Sequence, residues 1–103
     1  MSKRKIEWRV QENGHYCLSG ALERDTVPAF WQQRQQWMPA DSAVTLDLAA
    51  VTRVDSAGMV MLLHLCQQLR QQGAELHLLD VPEQLNTLLR LSHVESMFSA
   101  CKT

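Results

Sequence analysis

Residues 45–73 read TLDLAAVTRVDSAGMVMLLHLCQQLRQQG, and this stretch decides the fold. Apolar and polar side chains alternate over residues 43–48, which is typical of a β-strand with one buried face. A short loop then ends in Val54-Asp55-Ser56-Ala57-Gly58, and a long amphipathic helix pattern follows it. Gly73 is the predicted stop of that helix, because glycine readily adopts the conformation found just past helix C-termini.

The start of this helix is the candidate functional site. The first backbone N–H groups of a helix have no partner within it, so a helix start binds anions or a docking partner readily. We predict Ser56 as the N-cap, worth about 1 kcal/mol to the helix. A second interpretation is a phosphoacceptor, whose added charge is favourable at this position. A third is an unmodified contact, since the small hydroxyl and the bare Ala57-Gly58 backbone allow close approach. The three interpretations are compatible.

A β-hairpin is predicted at the beginning of the chain. Residues 6–11 and 16–19 have strand character. Asn13-Gly14 between them is a strong signal for a tight hairpin turn, because both residues tolerate positive φ. We expect Gly20 to break the second strand.

The first helix is predicted from a cap at Asp25 or Thr26 to about residue 38, before Pro39. Pro28 falls in its first turn, where a missing N–H costs little. The residues on one side of this helix are Val27, Phe30, Arg34, Trp37 and Met38. Trp31 lies at the edge of that stripe, so we expect it to be less deeply buried.

The second half of the chain predicts a βαβ unit. Strand 43–48, helix 56–72 and strand 75–79 follow one another with short connections, so the two strands should be parallel. Pro82-Glu83 opens a third helix, and the segment 94–103 has no firm assignment. The predicted core residues are Val44, Leu46, Leu48, Leu62, Leu63, Cys66, Leu69, Leu76, Leu78, Leu85 and Leu88.

Glutamine is frequent on both main helices, at positions 32, 33, 35, 36, 67, 68, 71 and 72. Glutamine is a good helix former without charge. The plain interpretation is a solvated helix face, and the alternative is a wet, uncharged docking surface.

Composition limits the classes of function. The 103 residues fit one domain, 1–103, with residues 1–5 as a solvated tail. The net charge of −1 provides no positive electrostatic field that would attract nucleic acid. The longest wholly apolar run, residues 59–63, is far short of the roughly 20 that a membrane span needs, so direct membrane insertion is not expected. Three scattered cysteines fit a cytoplasmic protein without disulfides.

No enzyme signature is present in the sequence. The four histidines have no metal-binding spacing, so neither a metal site nor a cofactor is expected. Nucleotide-binding glycine motifs are missing as well. His64 lies two turns along the helix from Ser56, about 12 Å away by the helical rise, which is too far for a general base.

The order β-β-α-β-α-β-α, with Asp55-Ser56-Ala57-Gly58 opening the second helix, resembles the STAS domain. The STAS domain is an α/β fold with a mixed sheet and helices packed against it. It occurs in anti-sigma factor antagonists and at the cytosolic ends of sulfate transporters. Within this family the chain is similar to the small STAS subunits of phospholipid-transporting ABC complexes in Gram-negative bacteria. The segments that carry this similarity are 18–22 (LSGAL), 30–34 (FWQQR), 51–55 (VTRVD) and 62–65 (LLHL).

The resemblance implies a non-enzymatic subunit, cytoplasmic and held at the inner membrane by its partner. It would bind the ATPase subunit of the transporter, and through it the permease, to support outer-membrane lipid asymmetry. The resemblance places the contact on Trp31, Asp55, Ser56, Ala57 and Gly58. The transporter subunits carry Thr and Gly where this chain has Ser56 and Ala57. A serine is also what sigma-regulatory relatives carry, so the alternative is an antagonist of an anti-sigma serine kinase, switched by phosphorylation of Ser56.

Overall fold

The computed structural model describes residues 5–94 and shows an α/β domain with a mixed five-stranded sheet. Its elements are β1 (Glu7–Val10), β2 (His15–Leu22), α1 (Val27–Gln32), α2 (Arg34–Trp37), β3 (Ala43–Asp47), β4 (Val51–Val54), α3 (Ser56–Gln71), β5 (Glu75–Leu79) and α4 (Glu83–Leu91). The predicted fold class is confirmed. The predictions for the N-terminal tail before Lys5 and for the segment after Val94 lie outside the described residues.

The predicted hairpin is confirmed. β1 and β2 pair antiparallel, from Glu7 opposite Ser19 to Val10 opposite Tyr16. Asn13 and Gly14 have φ values of 51° and 77°, the positive range that a tight hairpin turn demands.

Gly20 does not end β2, contrary to the sequence prediction. The strand continues to Leu22 with a register irregularity between Gly20 and Ala21, and Gly20 has a φ of 98°. Before this point β2 pairs with β3, and after it β2 pairs with β4, both parallel. Gly20 therefore lets one strand change partner, because glycine adopts positive φ without the usual steric cost.

β4 was missed by the sequence prediction, which treated the segment before Asp55 as loop. The strand has only four residues, and its middle two, Thr52 and Arg53, are exposed. So short a pattern carries little periodicity. Pairing with the second half of β2 makes it a strand, and this pairing delivers Asp55 to the edge of the sheet.

The first predicted helix is divided into α1 and α2 at Gln33, which corrects the single helix expected to residue 38. Side chains bind the carbonyls that a continuous helix would use. Trp37 Nε1 donates to the carbonyl of Phe30 at 3.1 Å, and Arg34 Nη1 donates to that of Trp31 at 3.1 Å. At the same place the backbone hydrogen bonds shorten to i→i+3, from Gln33 N to Phe30 O at 3.2 Å and from Gln36 N to Gln33 O at 2.9 Å, which interrupts the α-helical pattern.

The βαβ unit is confirmed. β3 and β5 pair in parallel from Ala43 opposite Glu75 to Asp47 opposite Leu79, and the chain passes from β3 to β5 through β4 and α3. Gly73, with a φ of 82°, follows the end of α3 as predicted. α4 begins directly after Pro82.

The core lies between the sheet and the helices, with α3 at its centre. Nine of the eleven predicted core residues are buried; Leu63 and Leu88 are only partly buried. Met61 and Leu65 are buried in addition. The buried face of α3 is wider than one stripe because α1, α4 and β5 all pack against this helix.

An aromatic cluster joins the hairpin to α1 and α2. The rings of Phe30 and Trp37 stack with centroids 4.4 Å apart, and Trp8 lies 4.6 Å from Trp37 and 5.2 Å from Tyr16. The Tyr16 hydroxyl donates to Asp41, and this hydrogen bond raises the pKa of Tyr16 to about 12. These contacts fix the position of the short helices on the sheet.

Candidate functional site

The N-cap of α3 is Asp55, not Ser56 as the sequence analysis predicted. Asp55 has extended backbone geometry, and its Oδ1 accepts hydrogen bonds from Ala57 N at 2.8 Å and Gly58 N at 3.2 Å. Ser56 is the first helical residue, and its side chain is exposed. Both residue types are good caps, so the local sequence did not distinguish them. The position at which β4 ends distinguishes them, because it places Asp55 at the cap position of α3.

Asp55 also positions the segment that leads into α1. Its Oδ2 accepts a hydrogen bond from Arg24 N at 3.1 Å, and its own N–H donates to Leu22 O at 3.0 Å. One carboxylate therefore links the start of α3 to the turn between β2 and α1. The consequence is that α1 and the first turns of α3 lie side by side.

Asp55→Ala is expected to destabilise the protein by about 1–2 kcal/mol, since the cap of α3 is lost. Ser56→Ala should change the free energy of unfolding by less than about 0.5 kcal/mol, because it alters an exposed side chain that does not cap. Urea denaturation of both variants measures this difference. Equal losses in the two proteins would contradict the assignment of the cap to Asp55.

Three neighbouring residues at the start of α3 face different surroundings. Ser56 is exposed, Ala57 is partly buried and Gly58 is buried. A Cβ at Gly58 would collide with Leu22 O and would lie 2.7 Å from the Cβ of Leu22. Gly58 therefore acts inside the molecule, where it lets α3 approach β2 closely, and Ser56 with Ala57 forms the accessible part.

A groove between α1 and α3 brings the predicted residues together. Its cavity measures about 460 Å³ and is mostly apolar. The lining residues are Val27, Pro28, Trp31, Ser56, Ala57, Val60, Met61 and His64. We call this the α1–α3 groove. Trp31, Ser56 and Ala57, which the family resemblance assigned to one contact, thus lie on one surface, whereas Asp55 and Gly58 hold it in place from outside the lining.

Trp31 lies at the rim of the aromatic cluster; Phe30, Trp31 and Trp37 are all partly buried, so the expected shallower burial of Trp31 stays a prediction. It is partly buried, and its ring lies 6.0 Å from Trp37 on one side and 6.2 Å from His64 on the other. The Arg34 guanidinium carbon lies 5.0 Å from the centroid of the same ring. The indole is therefore held between two helices with part of its surface open.

Val60 and His64 were missed as site residues. Both are exposed on α3 and follow Ser56 at intervals of four residues. This spacing places them on one helix face, and it was available as a signal in the sequence. Val60 is 43% exposed, so part of this apolar side chain is open to solvent where it lines the groove.

The groove offers shape and apolar surface rather than reactive groups. Ser56 and His64 are two helical turns apart, about 12 Å by the helical rise. Within residues 5–94, no group of three or more His, Cys, Asp or Glu side chains is placed to hold a metal ion. In the same range no helix has the length and apolar character to cross a membrane.

Comparison with known proteins identifies the family. The family described as "Mlab, STAS domain" matches residues 9–99. The intermembrane phospholipid transport system binding protein MlaB of Escherichia coli is 31% identical over 86 residues, covering 84% of this chain and 86% of that protein. The Haemophilus influenzae protein of the same name is 29% identical, covering 84% and 89%.

A solved structure shows the same fold. The murine solute carrier 26 family member A9 anion transporter, in its inward-facing state, superposes with a TM-score of 0.61 at 22% identity. The match covers 90% of this chain but only 16% of that transporter, so it supports the fold alone. The capped α3, the mixed sheet and the extended sequence match agree, and the chain belongs to the MlaB family of STAS domains.

Proposed function

We propose that this protein is a non-enzymatic accessory subunit of a phospholipid-transporting ABC complex of a Gram-negative bacterium. It binds the cytosolic ATPase subunit, and through it the permease, and so supports the assembly and activity that maintain outer-membrane lipid asymmetry. The proposal rests on relatives that are named as binding proteins of an intermembrane phospholipid transport system. In this proposal the protein is peripheral to the inner membrane through its partner.

The α1–α3 groove is the proposed docking surface for the ATPase. The observation that carries this is the exposed Ser56 at the start of α3, beside Trp31 and the exposed Val60 in one apolar groove. Tryptophan is enriched among the hot spots of protein interfaces, particularly where it fills an apolar pocket. Small residues at the helix start let a partner come close to the backbone.

The second candidate function is an anti-sigma factor antagonist that a serine kinase switches by phosphorylating Ser56. The exposure of Ser56 favours this candidate, because a kinase requires an accessible hydroxyl. A phosphate would lie in the first turn of a 16-residue helix, where its negative charge is favourable.

Affinity purification of the tagged protein from detergent-treated cells of its source distinguishes the two candidates. We expect mass spectrometry to identify an ABC ATPase together with its permease, and an unmodified Ser56. A soluble serine kinase of the anti-sigma type, with phosphate on Ser56, would overturn the proposal in favour of the second candidate.

Trp31→Ala is expected to weaken ATPase binding by about thirtyfold, the loss typical of an interface hot spot of about 2 kcal/mol. It should lower the melting temperature less than Trp37→Ala does. Trp37 stacks on Phe30, contacts Trp8 and donates a hydrogen bond, whereas Trp31 lies at the rim. Titration calorimetry and thermal melts of both variants test this. An equal loss of melting temperature would make Trp31 a core residue.

A further inference from the structure

The α1–α3 groove continues into a polar depression along α3. This second cavity measures about 220 Å³ and shares Trp31 and His64 with the groove. Its lining residues are Trp31, Arg34, His64, Gln67, Gln68 and Gln71. We call it the polar extension. The two depressions therefore form one surface that changes from apolar to polar as α3 proceeds.

A single face of α3 runs the length of this surface. Ser56, Val60, His64, Gln67 and Gln71 follow one another at intervals of four, four, three and four residues, and all five are exposed. That spacing keeps them on one side of the helix for about 22 Å, at a rise of 1.5 Å per residue. A partner segment of several residues can lie along it.

Arg34 is the cation of the polar extension. Its side chain is partly buried, its guanidinium packs over the Trp31 ring and Nη1 donates to the Trp31 carbonyl at 3.1 Å. The ion pairs found among residues 5–94 join Arg9 to Glu7 and Arg53 to Glu23, and none involves Arg34. Among the described residues, 5–94, no Asp or Glu lines either depression. A guanidinium has five N–H donors, so most of this group's hydrogen-bonding capacity faces neutral surroundings.

We propose that the polar extension binds an Asp or Glu side chain of the ATPase segment that docks in the α1–α3 groove, and that Arg34 is the residue that reads it. This inference rests on the proposed function. Arginine pairs with a carboxylate through two parallel hydrogen bonds, so it adds orientation as well as affinity. The Gln67 and Gln71 amides beside it can satisfy the polar backbone of the same segment. The apolar half then supplies affinity, and the polar half sets the direction in which the segment lies.

The charge of the surface favours a polypeptide over an anionic lipid head group. Within the part of the chain that the structure describes, Arg34 is the single Lys or Arg that lines the two depressions. The chain as a whole carries a net charge of −1. Binding to an anionic membrane requires a cluster of several basic residues, whereas one half-buried guanidinium suits one carboxylate.

Binding of the purified ATPase subunit to four proteins tests the inference: wild type, Arg34→Gln, Arg34→Glu and Arg90→Glu. Arg90 is exposed on α4 and outside both depressions, so Arg90→Glu matches the charge change of Arg34→Glu elsewhere on the molecule. We expect Arg34→Gln to weaken binding about tenfold at low salt, as for loss of a hydrogen-bonded charge pair. Arg34→Glu should weaken it further, because the new carboxylate repels the partner's. Arg90→Glu should bind like the wild type.

The comparison of the two Arg34 variants isolates charge from packing. Both remove the contact with Trp31, so a merely structural role predicts the same loss in both. The difference in affinity for the ATPase subunit between the wild type and Arg34→Gln should also become smaller at high salt, because salt screens an ion pair at a surface. Equal affinities for Arg34→Gln and Arg34→Glu would overturn the inference while the proposed function stands. A wild-type protein that does not bind the ATPase would overturn the proposed function itself.

Discussion

A Ser56→Glu protein is expected to fold normally and to lose its binding to the ATPase subunit by at least a hundredfold. The reason is that leaving a charge buried and unpaired in an interface costs about 3–5 kcal/mol. The fold should survive because Ser56 is exposed, and a negative charge in the first turn of α3 is favourable for the helix. Calorimetry measures the binding, and a thermal melt measures the fold.

The matched control for this experiment is Ser42→Glu. Ser42 is exposed, precedes β3 and lies outside the α1–α3 groove. The same change of side chain and charge there should leave ATPase binding intact. A folded Ser56→Glu protein that binds as tightly as Ser42→Glu would exclude the start of α3 from the interface.

Gly58→Ala is expected to destabilise the fold by about 3 kcal/mol, the upper part of the usual cost of overpacking a core. A Cβ at this position collides with backbone of β2, which cannot move aside as a flexible side chain would. The melting temperature should therefore fall by more than about 10 °C in a domain of this size. Differential scanning calorimetry measures the shift.

Gly73→Ala is the control for Gly58→Ala, because it replaces a glycine at a position where the new Cβ meets no neighbouring atom. Gly73 has a φ of 82° and open space around its Cα, so alanine there adds backbone strain alone, about 1 kcal/mol. The structure predicts that Gly58→Ala costs clearly more than Gly73→Ala. The reverse order would mean that α3 does not need its close approach to β2.

The elements with strong local signals were predicted well from the sequence. Asn13-Gly14 sets the hairpin because few residues other than glycine and asparagine take positive φ at low cost. Gly73 ends α3 for the same reason. The parallel pairing of β3 with β5 followed from a helix that connects two short strands. The resemblance to the STAS family was also carried by local segments, and the family match confirms it.

Two of the errors, the missed β4 and the misplaced cap of α3, share one physical cause, which is long-range pairing. β4 is a strand because the second half of β2 pairs with it, and its four residues show no periodicity of their own. The cap moved from Ser56 to Asp55 because β4 delivers Asp55 to the end of the sheet. The division of α1 from α2 is a local feature, since the backbone hydrogen bonds shorten to i→i+3 at Gln33 while the Trp37 and Arg34 side chains bind the carbonyls just before it.

For the candidate site, the sequence pattern predicted the residues themselves. It did not predict the groove in which they lie. An exposed hydroxyl at a helix start and a tryptophan off the main stripe could be identified because both depend on local helical geometry. They meet in one groove with Val60 because α1 packs against α3. Trp31 and Ser56 are 25 residues apart in the chain, so local propensity cannot specify this packing. The turn bound by Asp55 and the close contact at Gly58 bring about that packing, so the α1–α3 groove is a product of tertiary structure.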